Sequence, residues 1–196
     1  MLDLPRGRST VERVTLAQPA RDAARVVVIT GAESTGKSAL AAAIAQQLGV
    51  PLALEFAREY AERASRPLTA ADVEPIAMGQ RALEDAAIAR AGGGLAVLDT
   101  DLRSTIVYAQ YYYPDAELPA WLPAAVAARL PALYLICETD IPWVRDPVRD
   151  SAEARQALQQ RLAAVVRQSG APVVTVRGAL HDRLQSALST IASLRR

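Results

Sequence analysis

Short, uninterrupted runs of apolar residues alternate along the chain with longer stretches in which apolar and polar residues are mixed at helical spacing. Runs without polar alternation are typical of parallel strands that are buried on both faces of a sheet. The sequence contains such runs, which predict strands, at 26–30, 52–54, 95–98, 133–137 and 172–176. The stretches between these runs are long enough for helices.

Helix signals lie in those intervening stretches. Residues 38–48 are rich in alanine and end at Gly49, a residue that commonly stops a helix. Thr69 is the predicted N-cap of a long helix that runs to about residue 91, where three glycines follow. Further helices are predicted from Leu102, near 120–130, at 152–168 and at 180–194.

Strands that alternate with helices at this spacing predict right-handed βαβ units. The fold class is therefore α/β, with a parallel five-stranded sheet flanked by helices. Residues 1–24 lack sustained periodicity, so we expect an N-terminal tail there and a single domain over residues 25–196. No internal repeat or low-complexity linker divides that domain.

The loop after the first predicted strand carries a phosphate-binding pattern. Residues 31–38, Gly-Ala-Glu-Ser-Thr-Gly-Lys-Ser, match G-x-x-x-x-G-K-[ST] between a buried strand and a helix, as in P-loop NTPases. In such loops backbone N–H groups and a helix N-terminus surround the β-phosphate. We expect MgATP to bind here, with Lys37 on the β- and γ-oxygens and Ser38 on Mg²⁺. The alternative is a chance match in a turn rich in small residues. The predicted nucleotide-binding residues are Gly31, Glu33, Ser34, Thr35, Gly36, Lys37, Ser38 and Ala39.

Carboxylates follow two of the predicted strands, where ligands bind in an open parallel sheet. Asp99 directly follows the third strand and is expected to hold Mg²⁺ together with Ser38. A phosphoryl acceptor also needs a carboxylate that takes the hydroxyl proton, and Asp101 and Glu55 are both candidates. Asp101 is favoured because it lies two residues beyond Asp99. The alternative for each acid is a helix cap or a surface charge.

Arginines supply the remaining catalytic candidates. Arg58 lies one helical turn beyond Glu55, so it is expected either to clamp the substrate or to hold Glu55; the alternative is a solvated helix face. Residues 140–150 predict a mobile lid, on which Arg145 and Arg149 stabilise charge on the transferred phosphoryl group. The alternative there is a surface loop whose arginines pair with neighbouring aspartates.

Composition and net charge restrict the binding partners and the cellular compartment that we expect. The 196 residues carry a formal net charge of +1, which gives no reason to expect binding to nucleic acid or to a membrane surface. No apolar run reaches the roughly 18 residues of a membrane span. The lone cysteine, Cys137, excludes an internal disulfide and favours the reducing cytoplasm. Lys37 is the only lysine in the sequence. The oligomeric state is left open.

Four motifs in order resemble one family. They are residues 31–38, Glu-Phe-Ala-Arg-Glu at 55–59, Leu-Asp-Thr-Asp at 98–101, and Asp-Ile-Pro-Trp-Val-Arg-Asp at 140–146 with Arg149. Met78-Gly-Gln80 resembles a shorter motif of the same group. From about Arg25 onwards the chain is similar to the ribosylnicotinamide kinase domain of the bacterial NAD-biosynthesis regulator and to related stand-alone AAA-type ATPase/kinases.

The resemblance implies a nucleoside-kinase-like P-loop fold with a lid. It also implies ATP-dependent phosphorylation of the ribose 5′-hydroxyl of nicotinamide riboside, with Glu55, Arg58, Gln80 and Asp101 around the acceptor. The sequence departs from the family at 146–149, where proline follows the aspartate in place of the usual glycine. Residues 1–24 are too few for the regulator's DNA-binding and adenylyltransferase domains, so we expect neither activity.

Two other functions remain open from the sequence. One is a kinase for another pyridine, pyrimidine or thiamine-like alcohol. The other is a nucleotide-binding switch whose slow hydrolysis regulates a partner, because a fold alone does not determine function.

Overall fold

The computed structural model describes residues 24–141 and 152–194. Its sheet has five strands, all parallel, in the order β2-β3-β1-β4-β5. The strands are β1 (Arg25–Thr30), β2 (Leu52–Ala53), β3 (Leu95–Asp99), β4 (Leu133–Cys137) and β5 (Val173–Val176). The predicted parallel five-stranded sheet is therefore confirmed.

Helices cover both faces of this sheet. They are α1 (Lys37–Leu48), α2 (Phe56–Ala64), α3 (Val73–Ala91), α4 (Leu102–Tyr112), α5 (Leu122–Ala127), α6 (Ala152–Arg167) and α7 (Leu180–Ser193). Thr69 caps a short 3-10 turn, Ala70–Asp72, rather than α3 itself. The helix predicted near 120–130 is shorter than expected, because Pro123 lies in its first turn and Pro131 follows it.

The core lies in two layers because neighbouring strand residues point to opposite faces of the sheet. Val27 and Ile29 on β1 face a cluster that includes Leu40 of α1 and Ile191 of α7. Val28, between them, belongs to the cluster on the other face, which includes residues of α3 and α6. This two-sided burial explains why the strands appear in the sequence as continuous apolar runs.

A close contact between α2 and α3 fixes the start of α2. A Cβ atom built on Gly79 of α3 would lie only 2.1 Å from the Phe56 ring, so only glycine fits here. One residue further along α3, the side-chain oxygen Oε1 of Gln80 accepts a hydrogen bond from the backbone N–H of Phe56 at 3.0 Å. The Met-Gly-Gln motif therefore positions Glu55, the residue that precedes α2.

No helix within residues 24–141 and 152–194 is both long enough and apolar enough to cross a lipid bilayer.

Candidate active site

The loop between β1 and α1 has backbone conformations that require its two glycines. Gly31 has a φ of +141°, and a Cβ atom there would lie 2.8 Å from the carbonyl oxygen of Cys137. Gly36, at the start of α1, is left-handed with a φ of +79°. The loop therefore folds back on the end of β4 before it enters α1.

Two buried arginines hold the carbonyl groups of this loop. Arg155 of α6 donates to the carbonyl oxygens of Glu33 (3.2 Å) and Ser34 (3.1 Å). Arg183 of α7 donates to that of Thr35 (2.5 Å). The C=O and N–H of a trans peptide point in opposite directions, so these bonds orient the following N–H groups away from the arginines. Such an array of N–H groups binds anions.

Gln159 of α6 joins the loop to the end of β4. Its Oε1 accepts from the backbone N–H of Ala32 at 2.8 Å, and its Nε2 donates to the carbonyl oxygen of Cys137 at 3.0 Å. The sequence alone does not predict Gln159, Arg155 and Arg183 as residues of this site. Each lies on a helix more than 100 residues beyond the loop, and no local pattern marks it.

Lys37 lies along the phosphate-binding loop. Its Nζ donates to the carbonyl oxygen of Ala32 at 3.0 Å, and its side chain is buried. The same carbonyl oxygen accepts from the Thr35 hydroxyl at 2.7 Å. The ammonium group therefore lies within the loop, where a cation is needed to bind a phosphate.

Ser38 and Asp99 form an oxygen pair that fits Mg²⁺. Burial raises the pKa of Asp99, whereas the hydrogen bond with Ser38 and the charge of Lys37 act in the opposite direction. Among the described residues, none donates a hydrogen bond to the buried Oδ1 atom of Asp99. Mg²⁺ is commonly held by one or two protein oxygens and by phosphate and water oxygens, so this donor set suits it.

Glu55 lies at the N-terminus of α2, close to Asp99. Its side chain is buried, and its Oε2 lies 3.9 Å from Nη2 of Arg58, whose side chain is 52% exposed. The charges of both residues act on the pKa of Asp99, where Glu55 raises it and Arg58 lowers it. At 3.9 Å the two groups lie beyond hydrogen-bond distance, so Arg58 acts on Glu55 through its charge.

Asp101, which the sequence favours as the base, has both of its carboxylate oxygens in hydrogen bonds. It is the N-cap of α4, and its Oδ1 accepts from the backbone N–H and the hydroxyl of Ser104, at 2.9 and 3.0 Å. Its Oδ2 accepts from the hydroxyl of Tyr134 at 2.6 Å. Both carboxylate oxygens are thus engaged in structural hydrogen bonds. These hydrogen bonds fit the helix-cap alternative, and Asp101 and Glu55 both remain predicted bases.

A cavity of about 280 Å³ opens beside the loop. Its wall is formed mainly by α2, α3 and α4 and is largely apolar, with three tyrosines and two carboxylates. The lining residues used below are Glu33, Glu55, Gln80, Tyr108, Tyr112 and Tyr113. No described residue in the lining is a lysine, arginine or histidine.

Arg145 and Arg149 lie outside the described residues, so the lid remains a prediction. Residues next to that segment approach the loop: Arg155 donates to the carbonyl oxygen of Ile141 at 3.2 Å, and Asp140 pairs with Arg183. Cys137 lies behind the loop, and burial raises the pKa of its thiol to about 11, as expected for a structural thiol rather than a nucleophile.

Comparison with known proteins identifies relatives of this arrangement. The model of one protein family, described as an AAA domain (AAA_28), matches residues 26–183. The trifunctional NAD biosynthesis/regulator protein NadR of Salmonella typhimurium is 28% identical over 164 residues. That match covers 81% of this chain, and the chain spans 39% of the length of NadR.

Solved structures share the fold. A crystal structure of NadR in complex with NR has a TM-score of 0.71 and 24% identity, covering 87% of this chain and 50% of that one. Thymidylate kinase from Ehrlichia chaffeensis has a TM-score of 0.65 and 14% identity, covering 86% of this chain and 99% of that one. Deoxyadenosine kinase from M. mycoides has a TM-score of 0.63 and 13% identity, with the same two coverages. The shared fold is that of P-loop kinases.

Proposed function

The chain belongs to the AAA domain family AAA_28, and we propose that it is an ATP-dependent kinase for a small nucleoside-like alcohol, with nicotinamide riboside as the favoured acceptor. Residues 25–196 would form the kinase domain. The similarity to NadR supports the reaction class, and the NadR complex with NR supports the choice of acceptor.

The observation that carries the proposal is the cavity beside the phosphate-binding loop. Glu33 of the loop and Glu55 at the start of α2 line the same cavity, so a molecule bound there would lie next to a phosphate in the loop. A nucleotide-dependent switch requires the loop and no such cavity. A kinase requires both.

The charge of the cavity favours an acceptor without a phosphate. A phosphate on the acceptor would meet two carboxylates and, among the described lining residues, no cationic side chain. Nicotinamide riboside carries no phosphate, and its pyridinium ring is positive. Carboxylates and the faces of tyrosine rings both attract such a ring. A nucleoside therefore fits better than a nucleoside monophosphate.

In the proposed reaction the acceptor hydroxyl oxygen bonds to the γ-phosphorus of ATP. The bond from that phosphorus to the bridging oxygen breaks, ADP leaves, and the hydroxyl proton passes to the Glu55 carboxylate. Lys37 and the loop N–H groups would bind the phosphates, while Arg58 holds Glu55. Mg²⁺ held by Ser38 and Asp99 would neutralise charge on the phosphate oxygens.

Mass spectrometry tests this proposal directly. The protein is incubated with MgATP and a panel of ribosides, other nucleosides, vitamin alcohols and nucleoside monophosphates. We expect a phosphorylated product from nicotinamide riboside and little or none from the monophosphates. Protein carrying Lys37→Ala, purified in the same way, controls for contaminating kinases and should give no product. ATP hydrolysis that persists without phosphorylation of any alcohol would instead support the switch.

A further inference from the structure

Glu33 carries a carboxylate in a loop that is expected to bind phosphate. Its position within the motif assigns it to the nucleotide, yet a carboxylate cannot donate a hydrogen bond to a phosphate oxygen. Like charges at contact distance also repel strongly where water is scarce. The backbone of Glu33 serves the loop through its carbonyl oxygen, which Arg155 holds. Its side chain therefore has another role.

The side chain of Glu33 is buried and aimed at the cavity. The residue is 9% exposed, and it lines the cavity together with Glu55. No described residue donates a hydrogen bond to its buried Oε1. A buried carboxylate oxygen without a donor is unfavourable, and native proteins rarely keep one unless a ligand or water supplies the hydrogen bond.

The polar group of Gln80 in the same wall is already committed. Its Oε1 accepts from the backbone N–H of Phe56, and its Nε2 faces Glu84 at 3.4 Å. Glu55 precedes α2, whereas Glu33 lies in the loop between β1 and α1, so the two carboxylates line the cavity from different elements. The two carboxylates can therefore contact different groups of the acceptor. Glu55 would contact the reacting hydroxyl, and Glu33 would accept from another hydrogen-bond donor of the same molecule.

We propose that Glu33 recognises the acceptor by accepting a hydrogen bond from a ring hydroxyl of its sugar, and so selects ribosides over deoxyribosides. This inference rests on the proposed function. A ribose supplies two neighbouring O–H donors besides the reacting 5′-hydroxyl, whereas a deoxyribose lacks one of them. The carboxamide of nicotinamide is the other hydrogen-bond donor of this acceptor, and deoxy analogues that keep the carboxamide distinguish it from the ribose hydroxyls.

Steady-state kinetics with matched acceptors test the assignment. Nicotinamide riboside and its 2′-deoxy and 3′-deoxy analogues are compared in the wild type, in Glu33→Gln and in Glu33→Ala. Loss of a hydrogen bond to a charged group should raise the wild-type KM for one deoxy analogue by about 10- to 100-fold. In Glu33→Ala the riboside KM should rise by a similar factor and the preference should disappear, with the KM for ATP changed less than about twofold. Glu33→Gln, which keeps an acceptor oxygen, should lie between the two.

Glu62→Gln is the matched control, because it makes the same chemical change at an exposed position of α2. It should leave all KM values unchanged. ATP-induced thermal stabilisation of each variant shows whether the loop remains folded, and Glu33→Gln, which keeps the size and shape of the side chain, serves if Glu33→Ala does not fold. If the wild type phosphorylates no riboside, the proposed function fails. If it does, but the Glu33 variants keep the preference or lose affinity only for ATP, the assignment of Glu33 alone is overturned.

Discussion

The guanidinium of Arg183 on α7 donates through Nη1 to the carbonyl oxygen of Thr35 in the phosphate-binding loop, 148 residues earlier in the chain. The residue is 2% exposed, and its side chain also donates to the carbonyl oxygens of Gly178 and Glu138 and pairs with Asp140. The last helix of the domain thus holds the first functional loop in place.

Replacing Arg183 by lysine should weaken the loop. One ammonium group cannot reach acceptors that a planar guanidinium joins, so buried carbonyl groups lose their donors. We expect the free energy of unfolding to fall by about 2–4 kcal/mol and the KM for ATP to rise. Urea unfolding and ATP titration measure the two effects. Arg167→Lys, at an exposed position of α6, is the control, and equal behaviour of the two variants would contradict this role.

The oxygen pair of Ser38 and Asp99 predicts a change in metal dependence. Asp99→Asn should raise the Mg²⁺ concentration needed for half-maximal rate and lower kcat at least about tenfold, or about 1.4 kcal/mol of barrier. Ser38→Ala should act in the same direction, and the double variant should lose less than the sum, because both residues hold one ion. An unchanged Mg²⁺ requirement in Asp99→Asn would leave Asp99 a purely structural acid.

Substitutions at Glu55 and at Asp101 should change different properties, the rate of transfer at Glu55 and the stability of the fold at Asp101. Glu55→Gln should lower kcat by about 10²- to 10⁴-fold with little change in the KM for ATP, because it removes the proposed proton acceptor. Asp101→Asn should keep most of the transfer rate and reduce the free energy of unfolding by about 1–3 kcal/mol, since it weakens a helix cap and a buried hydrogen bond. Rate assays with urea unfolding measure both, and a large loss of kcat only in Asp101→Asn would restore Asp101 as the base.

Glu84 predicts how stability depends on pH. Burial first, and then the charge of Asp101, raise the pKa of Glu84 from 4.5 to about 8. Between these values the folded protein keeps a proton that the unfolded chain releases, so stability falls as pH rises through this range. One proton corresponds to a slope of at most about 1.4 kcal/mol per pH unit.

Unfolding experiments from pH 5 to 8 check this slope. Glu84→Gln, which stays neutral, should be less sensitive to pH than the wild type over this range. Glu62→Gln, at an exposed position, should keep the wild-type slope. The same slope in Glu84→Gln and the wild type would show that Glu84 is ionised in the folded protein.

Local sequence signals predicted the elements of this fold well. The strand predicted at 133–137 has the bounds of β4, because every residue in it is buried and the apolar run ends with the strand. The phosphate-binding loop could be predicted for a similar reason, since the conformations of Gly31 and Gly36 are needed wherever such a loop joins a strand to a helix.

Contacts between distant segments could not be predicted in this way. Arg155 and Arg183 resemble ordinary helix arginines in the sequence, and only the fold brings them to the loop carbonyl groups. At Asp101 a local pattern is present but fits two roles, because an acid after a strand is equally suitable as a helix cap and as a base. Its hydrogen bonds to Ser104 and Tyr134 fit the role of a cap, and the second bond spans 33 residues.

Because Lys37 is the only lysine in the sequence, the phosphate-binding loop can be labelled selectively. Reagents that acylate primary amines can modify this sequence only at Lys37 and at the amino terminus of the chain. Because the Lys37 side chain is buried against the loop, a bound triphosphate should shield it further from acylation. The extent of labelling at one peptide would then measure the fraction of molecules with an occupied loop, without any turnover and before the acceptor is known.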